Sequence, residues 1–162
     1  MIRGTHSQPE DLHPMSATDW IGRNETAHDH LSHNLLTRIA ATFGEPVPEH
    51  GAAVPPLWQW CFFQDPLPES ALGTDGHPAR GGFLPPVPLP RRMWAGSQFE
   101  FRSPVRVGDK VERTSTIADV TTKDGRTGKL VFVKVRHEVR CNGASDPAIV
   151  EFHDIVYRDA KR

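Results

Sequence analysis

Two adjacent arginines and a tryptophan, Arg91, Arg92 and Trp94, follow a stretch that holds four prolines within six residues. Proline fixes φ and lacks a backbone donor, so this part of the segment from Arg80 to Phe101 is predicted to be a stiff, extended loop. A guanidinium group matches the oxygens of a carboxylate or a phosphate, and an indole ring supplies an apolar wall. The three side chains are therefore candidates for binding a ligand with an anionic group. A covering loop that ends in a solvated strand is the alternative.

The residues just before the prolines are candidates for a movable cover. Gly81, Gly82 and Phe83 belong to the segment from Gln64 to Arg92, which is long and rich in Pro and Gly. Connections of this length within a domain are usually functional loops or lids. Gly82 and Phe83 are thus predicted to contact the substrate as a hinge over its site, with an ordinary surface loop as the alternative.

A second pair of cations lies in the turn sequence KDGRTGK. Arg126 and Lys129 are predicted to contact phosphate groups, although a polar hairpin tip would have the same composition.

A cluster of histidines precedes the longest predicted helix. His28, Asp29, His30 and His33 place imidazoles beside a carboxylate, which is the pairing that acid–base catalysis uses. Asp29 with His30 or His33 is therefore a candidate catalytic dyad, against the simpler interpretation of solvent-facing residues. The spacing is not that of a zinc site, so no metal is predicted. His137 alternates with valines and is predicted to be a hydrogen-bonded core histidine.

Other chemistries lack their motifs. There is no G-x-S-x-G elbow, no phosphate-binding G-x-x-x-x-G-K-[ST] loop and no C-x-x-C pair. Cys61 and Cys141 lie eighty residues apart, which is neither a disulfide framework nor a metal knuckle and indicates a reducing compartment.

The 162 residues, 37% of them hydrophobic and 24% charged, suit one globular domain. The net charge of −1 conceals an asymmetry: residues 1–79 carry −7 and residues 80–162 carry +6. This split would suit an anionic ligand or pairing between the two parts, but the scattered cations do not indicate nucleic-acid binding.

No apolar run would cross a membrane or direct secretion, so a cytoplasmic protein is predicted. Residues 1–15 are expected to form a flexible arm and residues 16–162 a single domain.

Helices are predicted early in the chain. Ser16 to Gly22 has a capping-box pattern with Asp19, and Trp20 and Ile21 would attach this short helix to the core. A longer helix from Ser32 to Phe43 is predicted because apolar residues recur on one side. They are Leu31, Leu35, Leu36, Ile39, Ala40 and Phe43.

Strands dominate the rest. Leu57 to Phe63 is predicted to be a short aromatic strand, and in the strand after the prolines Met93, Ala95, Ser97, Phe99 and Phe101 alternate with Trp94 and Gly96. Three further strands are separated by turn sequences: Val111 to Val120, Leu130 to Arg140 and Ala148 to Tyr157. This order indicates an α+β fold with an antiparallel sheet.

Three long stretches of the sequence resemble those of a known family: RGGFLPPVPLPRRMWAGSQFEF, RVGDKVERTSTIADVTTKDGRTGKLVFVKVRHEV and AIVEFHDIVYRD. Together with DWIGR they resemble the amino-terminal half of MaoC-like acyl-CoA hydratases and dehydratases of the mesaconyl-CoA and itaconyl-CoA hydratase type. The resemblance spans Ala17 to Asp159. It implies a hot-dog fold, in which an antiparallel sheet surrounds a central helix, here about Ser32 to Phe43.

The resemblance also implies that substrate binding and catalysis belong to different halves of the family's proteins. Family members look like tandem hot-dogs whose carboxy-terminal repeat carries the His and Asp or Asn that activate water, and this sequence holds no such element. The expected function is that of a substrate-binding subunit of an enoyl-CoA hydratase or dehydratase, completed by a catalytic hot-dog partner. A coenzyme A thioester would be the substrate, with its phosphates at Arg126 and Lys129, and no cofactor is expected.

Two other functions stay open. A homodimer using the His28 to His33 cluster would be active alone. A non-catalytic acyl-CoA binder or assembly protein would bind without hydrating.

Overall fold

The computed structural model describes residues 16–64, 66–73, 76–78, 82–126 and 128–160. Within these residues, five strands form one antiparallel sheet in the order β1-β3-β4-β5-β2. They are β1 (Asn24–His30), β2 (Arg91–Phe101), β3 (Lys110–Gly125), β4 (Gly128–Cys141) and β5 (Ile149–Arg158), and the helix α1 (His33–Phe43) lies between β1 and β2 in sequence. The predicted α+β hot-dog fold is confirmed, as are the strands predicted from Val111 onward. The proposed arm, residues 1–15, lies outside the described residues.

Helix α1 begins and ends where the sequence predicts. The Ser32 hydroxyl accepts a hydrogen bond from the Leu35 amide at 3.3 Å, and Gly44 ends the helix with φ +69°, a conformation that favours glycine. Leu36, Ile39 and Ala40 are buried on the side facing the sheet. Phe43 was expected on the same side but is 54% exposed, since the helix ends there and its ring lies beside Trp58 instead.

The short amino-terminal helix is also confirmed, as a 3₁₀-helix over Ala17–Trp20. The Ser16 side chain accepts from the Thr18 amide, and the Asp19 carboxylate accepts from the Ser16 amide at 2.8 Å. Trp20 is buried and Ala17 packs against the same cluster, whereas Ile21 is 47% exposed, so Trp20 and not Ile21 attaches this turn to the core.

The predicted strand from Leu57 to Phe63 is wrong: Trp58–Cys61 is a 3₁₀-helix. Leu57 and Phe63 have φ of +72° and +59°, which a strand does not allow, and they turn the chain at both ends of this helix. A short apolar run does not distinguish a strand from a buried helical turn, because both hide most of their side chains.

Strand β1 was missed by the sequence analysis. It is an edge strand with a polar sequence and largely exposed residues, so it lacks the apolar alternation that predicts a strand. Its pairing with β3 places Glu25 opposite Ser115.

Strand β2 is predicted correctly but its faces are not. A bulge between Trp94 and Gly96 shifts the register with β5, so that Trp94 pairs with Ile155 and Ser97 with His153. Trp94 therefore shares a face with Ser97, and not the opposite face that uninterrupted alternation implies.

Two apolar clusters cover one face of the sheet, which we call the helix face because Val111, Val139 and Ile149 on it pack against α1. The second cluster includes Val135 and Ile155. It also buries Val87 and Leu89 of the long proline-rich segment, which therefore lies on the helix face. Among the described residues, no helix has the length and apolar character needed to span a membrane.

Candidate functional site

A row of residues, one from each strand, crosses the helix face of the sheet. Glu25 lies opposite Ser115, Ser115 opposite His137, His137 opposite Glu151, and Glu151 opposite Phe99. Directly opposed residues of neighbouring antiparallel strands point to the same face with Cβ atoms about 5 Å apart. Strand pairing alone therefore aligns four polar side chains across the sheet.

This polar row lies in a cavity of about 610 Å³ that Glu25, His137 and Glu151 help to line. The row runs between the two apolar clusters, because Val139 and Ile149 are the next residues on one side, whereas Val135 and its partner His153 are next on the other and Ile155 follows them. Aromatic rings of Trp60, Phe62, Phe63, Phe83 and Trp94 complete the wall. A largely apolar cavity with a few convergent polar groups is typical of a small-molecule site.

Glu151 is fixed at the β5 end of the row by neutral donors. Its side chain is only 6% exposed, and the indole nitrogen of Trp60 donates to both carboxylate oxygens at 3.2 and 3.3 Å. The Ser97 hydroxyl donates to Oε1 at 2.7 Å and accepts from the Trp94 indole at 3.2 Å. A buried carboxylate requires such donors, so this network holds Glu151 in one position and joins two tryptophans to the cavity floor.

His137 and His153 are neutral imidazoles beside Glu151. Burial, helped by the charge of Arg113, lowers the pKa of His137 to about 3, and burial also lowers the pKa of His153. His137 Nδ1 lies 2.9 Å from the Ser115 hydroxyl oxygen, which confirms the predicted hydrogen-bonded core histidine. His137 also lines the cavity, so it offers a neutral ring nitrogen there and not a cation.

Arg113 supplies a positive charge at the β3 side of the cavity. Its guanidinium carbon lies 4.9 Å from the centre of the Phe63 ring, a cation–π distance. Gln59, which lines the same wall, is 8% exposed, and its side-chain nitrogen has no hydrogen-bond partner among the described residues. The wall of the cavity therefore includes the positive charge of Arg113 and the unsatisfied amide donor of Gln59, both beside apolar side chains.

A second cavity of about 770 Å³ adjoins the first. Both are lined by the same group of residues, namely Glu25, Phe63, Gln64, His77, Phe83, Leu84 and Arg113. We call the two cavities together the cleft. The cleft therefore accommodates a ligand that is larger than either cavity alone could hold.

Four of the five predicted substrate-binding residues line the cleft. Trp94 and Phe83 line the first cavity, and Arg92, Gly82 and Phe83 line the second. Arg91 lines neither cavity and is the register partner of Arg158. Gly81, which belongs to the same predicted hinge, lies outside the described residues.

The predicted phosphate-binding residues lie elsewhere. Arg126 and Lys129 are exposed at the hairpin between β3 and β4 and line neither cavity of the cleft.

The histidine cluster is also separate from the cleft. The Asp29 carboxylate accepts hydrogen bonds from the backbone amides of His30, at 2.7 Å, and Phe63, at 2.9 Å. His28 is exposed with Nδ1 3.8 Å from a Glu112 carboxylate oxygen, and His33 is exposed at the start of α1. Asp29 thus has a role in positioning the aromatic wall through the Phe63 backbone.

Sequence analysis missed several cleft residues: Glu25, Gln59, Arg113, Glu151 and His153. A signal for two of them was present, because Glu151 and His153 alternate with Ile149 and Ile155 along one strand. Gln59 was hidden by the wrong strand assignment, and Glu25 by the missed strand β1.

Comparisons with known proteins agree with this architecture. Residues 57–162 match the family model described as hydroxyacyl-thioester dehydratase type 2. A protein of Chloroflexus aurantiacus named mesaconyl-C(4)-CoA hydratase is 42% identical over 155 residues, which cover 90% of this chain and 53% of that protein. The chain thus spans about half the length of the curated relative it matches.

Solved structures share the fold at low sequence identity. A chain of the ChsH1–ChsH2 complex from Mycobacterium tuberculosis superimposes with a TM-score of 0.61 at 12% identity, over 86% of this chain and 84% of that one. HtdX of the same organism has a TM-score of 0.51 at 16% identity, over 84% of this chain and 51% of that one.

The matched family model covers almost two thirds of the sequence, from the aromatic wall of the cleft to the last strand. The chain belongs to the hydroxyacyl-thioester dehydratase type 2 family.

Proposed function

We propose that this chain is the substrate-binding hot-dog subunit of an enoyl-CoA hydratase or dehydratase, and that a second hot-dog chain completes the active site. The observation that carries the proposal is the apolar cleft on the helix face, which is crossed by a row of polar side chains. The relative named mesaconyl-C(4)-CoA hydratase supports hydration of an α,β-unsaturated acyl-CoA as the reaction.

The reaction explains why a cleft of this kind is useful. Adding water to an enoyl thioester requires a base for the water, an acid for the α-carbon and donors for the thioester oxygen as it becomes enolate-like. Aromatic and aliphatic walls suit the acyl chain. Within the cleft, however, Glu151 is engaged by Trp60 and Ser97, and burial lowers the pKa of His137 to about 3, which makes this imidazole a weak base. We therefore assign water activation to the partner.

We place the partner at β2, which is an edge strand of the sheet and carries exposed aromatic side chains. Trp94 is 62% exposed, and Trp60 and Phe101 are about half exposed. Their rings form a continuous patch with Phe99, with centroids 5.6 to 6.4 Å apart. Exposed apolar patches and open strand edges are typical of interaction sites. Because the curated relative is about twice as long as this chain, we assign the patch to a second hot-dog unit, and a homodimer is the alternative.

The remaining sequence-based assignments belong to the same proposal. Arg92 and Trp94 contact the thioester substrate, Gly82 and Phe83 cover it, and Arg126 and Lys129 meet the coenzyme A phosphates. Arg91 is retained as a substrate-binding candidate at the start of β2, and no cofactor besides the coenzyme A of the substrate is needed.

The test is co-expression with a hot-dog chain that carries the family's His and Asp element, followed by hydration of mesaconyl-CoA. We expect a stable complex in which only the mixture turns over, because each chain supplies a different part of the site. The loss of enoyl-thioester absorbance measures the reaction.

Three outcomes would contradict the proposal. Full activity of this chain alone that vanishes in His30→Ala or His33→Ala would establish a self-sufficient enzyme. Thioester binding without hydration in the complex would establish a non-catalytic binder, and absence of both complex and binding would exclude a role in this reaction.

A further inference from the structure

Two imidazoles lie side by side on the floor of the first cavity. His137 of β4 and His153 of β5 both line it, and their ring centres are 5.8 Å apart. The strand register explains this placement, because Glu151 lies opposite His137 and Val135 lies opposite His153, so that all four side chains point to the helix face. The two imidazoles are therefore diagonal neighbours on adjacent strands, and a ligand in the cavity can contact both.

These imidazoles have hydrogen-bonding capacity that the protein does not use. Nδ1 of His137 lies 2.9 Å from the Ser115 hydroxyl oxygen. Among the described residues, Nε2 of His137 has no hydrogen-bond partner, and neither ring nitrogen of His153 has one. The Glu151 carboxylate beside them is already engaged by an indole and a hydroxyl group. Ring nitrogens without partners are costly in a largely apolar cavity, so they indicate an occupant that supplies polar atoms.

Both rings are neutral, which decides the kind of atom that they bind. Burial lowers the pKa of His137 to about 3 and also lowers the pKa of His153, so each ring has one N–H donor and one acceptor nitrogen at pH 7. The fully buried Ser115 hydroxyl has Nδ1 of His137 as its one side-chain partner among the described residues. We therefore assign the hydroxyl as the donor to Nδ1, which places the ring proton of His137 on Nε2.

The charges around the rings offset one another. His137 lies in the field of the Arg113 cation, and His153 lies in that of the Glu151 carboxylate. A charged ligand atom between the rings would be attracted by one of these groups and repelled by the other, whereas a neutral oxygen avoids the repulsion. Two N–H···O bonds of about 2.9 Å each can meet at one oxygen between rings at this separation.

We propose that His137 and His153 together bind a neutral oxygen atom of the acyl-CoA ligand, either the thioester carbonyl oxygen or the hydroxyl oxygen of the hydrated product. This inference rests on the proposed function and assigns a substrate contact within it. Either oxygen accepts hydrogen bonds from neutral imidazoles, while the neighbouring carbon atoms lie against the aromatic wall of the cleft. Water activation stays with the partner.

The test compares three non-hydrolysable acyl-CoA analogues by calorimetry with the full chain. In each analogue a methylene group replaces the thioester sulfur. The first is the 3-hydroxybutyryl analogue, the second lacks its carbonyl oxygen and the third lacks its hydroxyl group. We expect removal of the bound oxygen to weaken binding about 5- to 100-fold, because two neutral hydrogen bonds are lost. The analogue with the larger loss identifies the oxygen, and EDTA in every sample excludes a bound metal ion as the cause.

Phenylalanine variants attribute this preference to the two rings. His153→Phe keeps the ring shape but removes both nitrogens, so about one hydrogen bond remains and the preference should fall to about 2- to 10-fold. Adding His137→Phe with Ser115→Ala, which removes the hydroxyl left without an acceptor, should abolish it. The preference is a ratio of affinities within one variant, so a general loss of stability does not imitate the effect. His28→Phe is the matched control, because the His28 side chain is 72% exposed.

Equal affinity for the three analogues, or a preference that His153→Phe leaves unchanged, would overturn the oxygen site. Absence of binding of all three analogues would overturn it as well. If the triple variant does not fold, His153→Phe alone decides the result. If the preference holds but the complex with a catalytic hot-dog chain shows no hydration, only the proposed function fails. If hydration occurs without the preference, only the oxygen site fails.

Discussion

Lowering the pH from 7 to 4 is expected to reduce the free energy of unfolding by about 3 kcal/mol through His137 alone. The pKa of this imidazole falls from its ordinary value of 6.5 to about 3 in the fold, chiefly by burial. Below pH 6.5 the unfolded chain therefore binds a proton that the folded chain does not bind. The contribution of His137 to stability is fully present above pH 6.5 and falls between pH 6.5 and about pH 3. Below about pH 3 it changes no further.

The measurement is urea denaturation at several pH values between 7 and 4. His137→Gln removes the titrating group while keeping a polar atom near Ser115, so the pH dependence of its stability should be flatter by about one proton. His28→Gln is the matched control, because the His28 side chain is 72% exposed. Equal pH dependence in wild type and His137→Gln would contradict the assignment. The lowered pKa of His153 acts in the same direction and would remain in both variants.

Leu36→Ala is expected to destabilise the fold by about 2 to 5 kcal/mol, the range for emptying a buried leucine site. Leu36 is fully buried between α1 and the helix face. Alanine is a better helix former than leucine, so the loss comes from packing and not from the helix itself. The same cluster contains Phe62, Val139 and Ile149, which line the cleft, and affinity for acyl-CoA should fall with stability.

Chemical denaturation of Leu36→Ala and of Arg38→Ala measures this difference. Arg38 is exposed on the same helix, and its truncation is expected to change stability by no more than about 0.5 kcal/mol. Similar midpoints for the two variants would show that the contact between α1 and the sheet contributes little.

The parts of the fold that follow a strict period could be predicted from the sequence. Helix α1 has a capping serine, a terminating glycine and an apolar side, and these local signals agree with its packing. Strands β3 to β5 alternate and are separated by turn sequences. The predictions failed where a residue departs from its period, as at the bulge after Trp94, or where no period exists, as in β1.

The cleft was harder to predict than the fold because its residues come together only through strand register. Glu25, Ser115, His137 and Glu151 are far apart in sequence, and no local pattern states which residue of β4 lies opposite which residue of β5. Trp94 and Phe83 were identified by residue type and setting. Arg113 was missed because one arginine within a polar strand resembles any exposed cation.

Photo-crosslinking tests most directly whether the acyl group occupies the cleft. An acyl-CoA thioether with a diazirine at the acyl end would be irradiated with the full chain, and the adducts mapped by mass spectrometry. We predict labelling within residues 59–64, 135–139 and 149–155, competed by an unlabelled analogue, because these segments line the first cavity. Labelling confined to the hairpin of Arg126 and Lys129, or labelling that competitor does not reduce, would contradict the assignment of this cleft as the acyl-binding site.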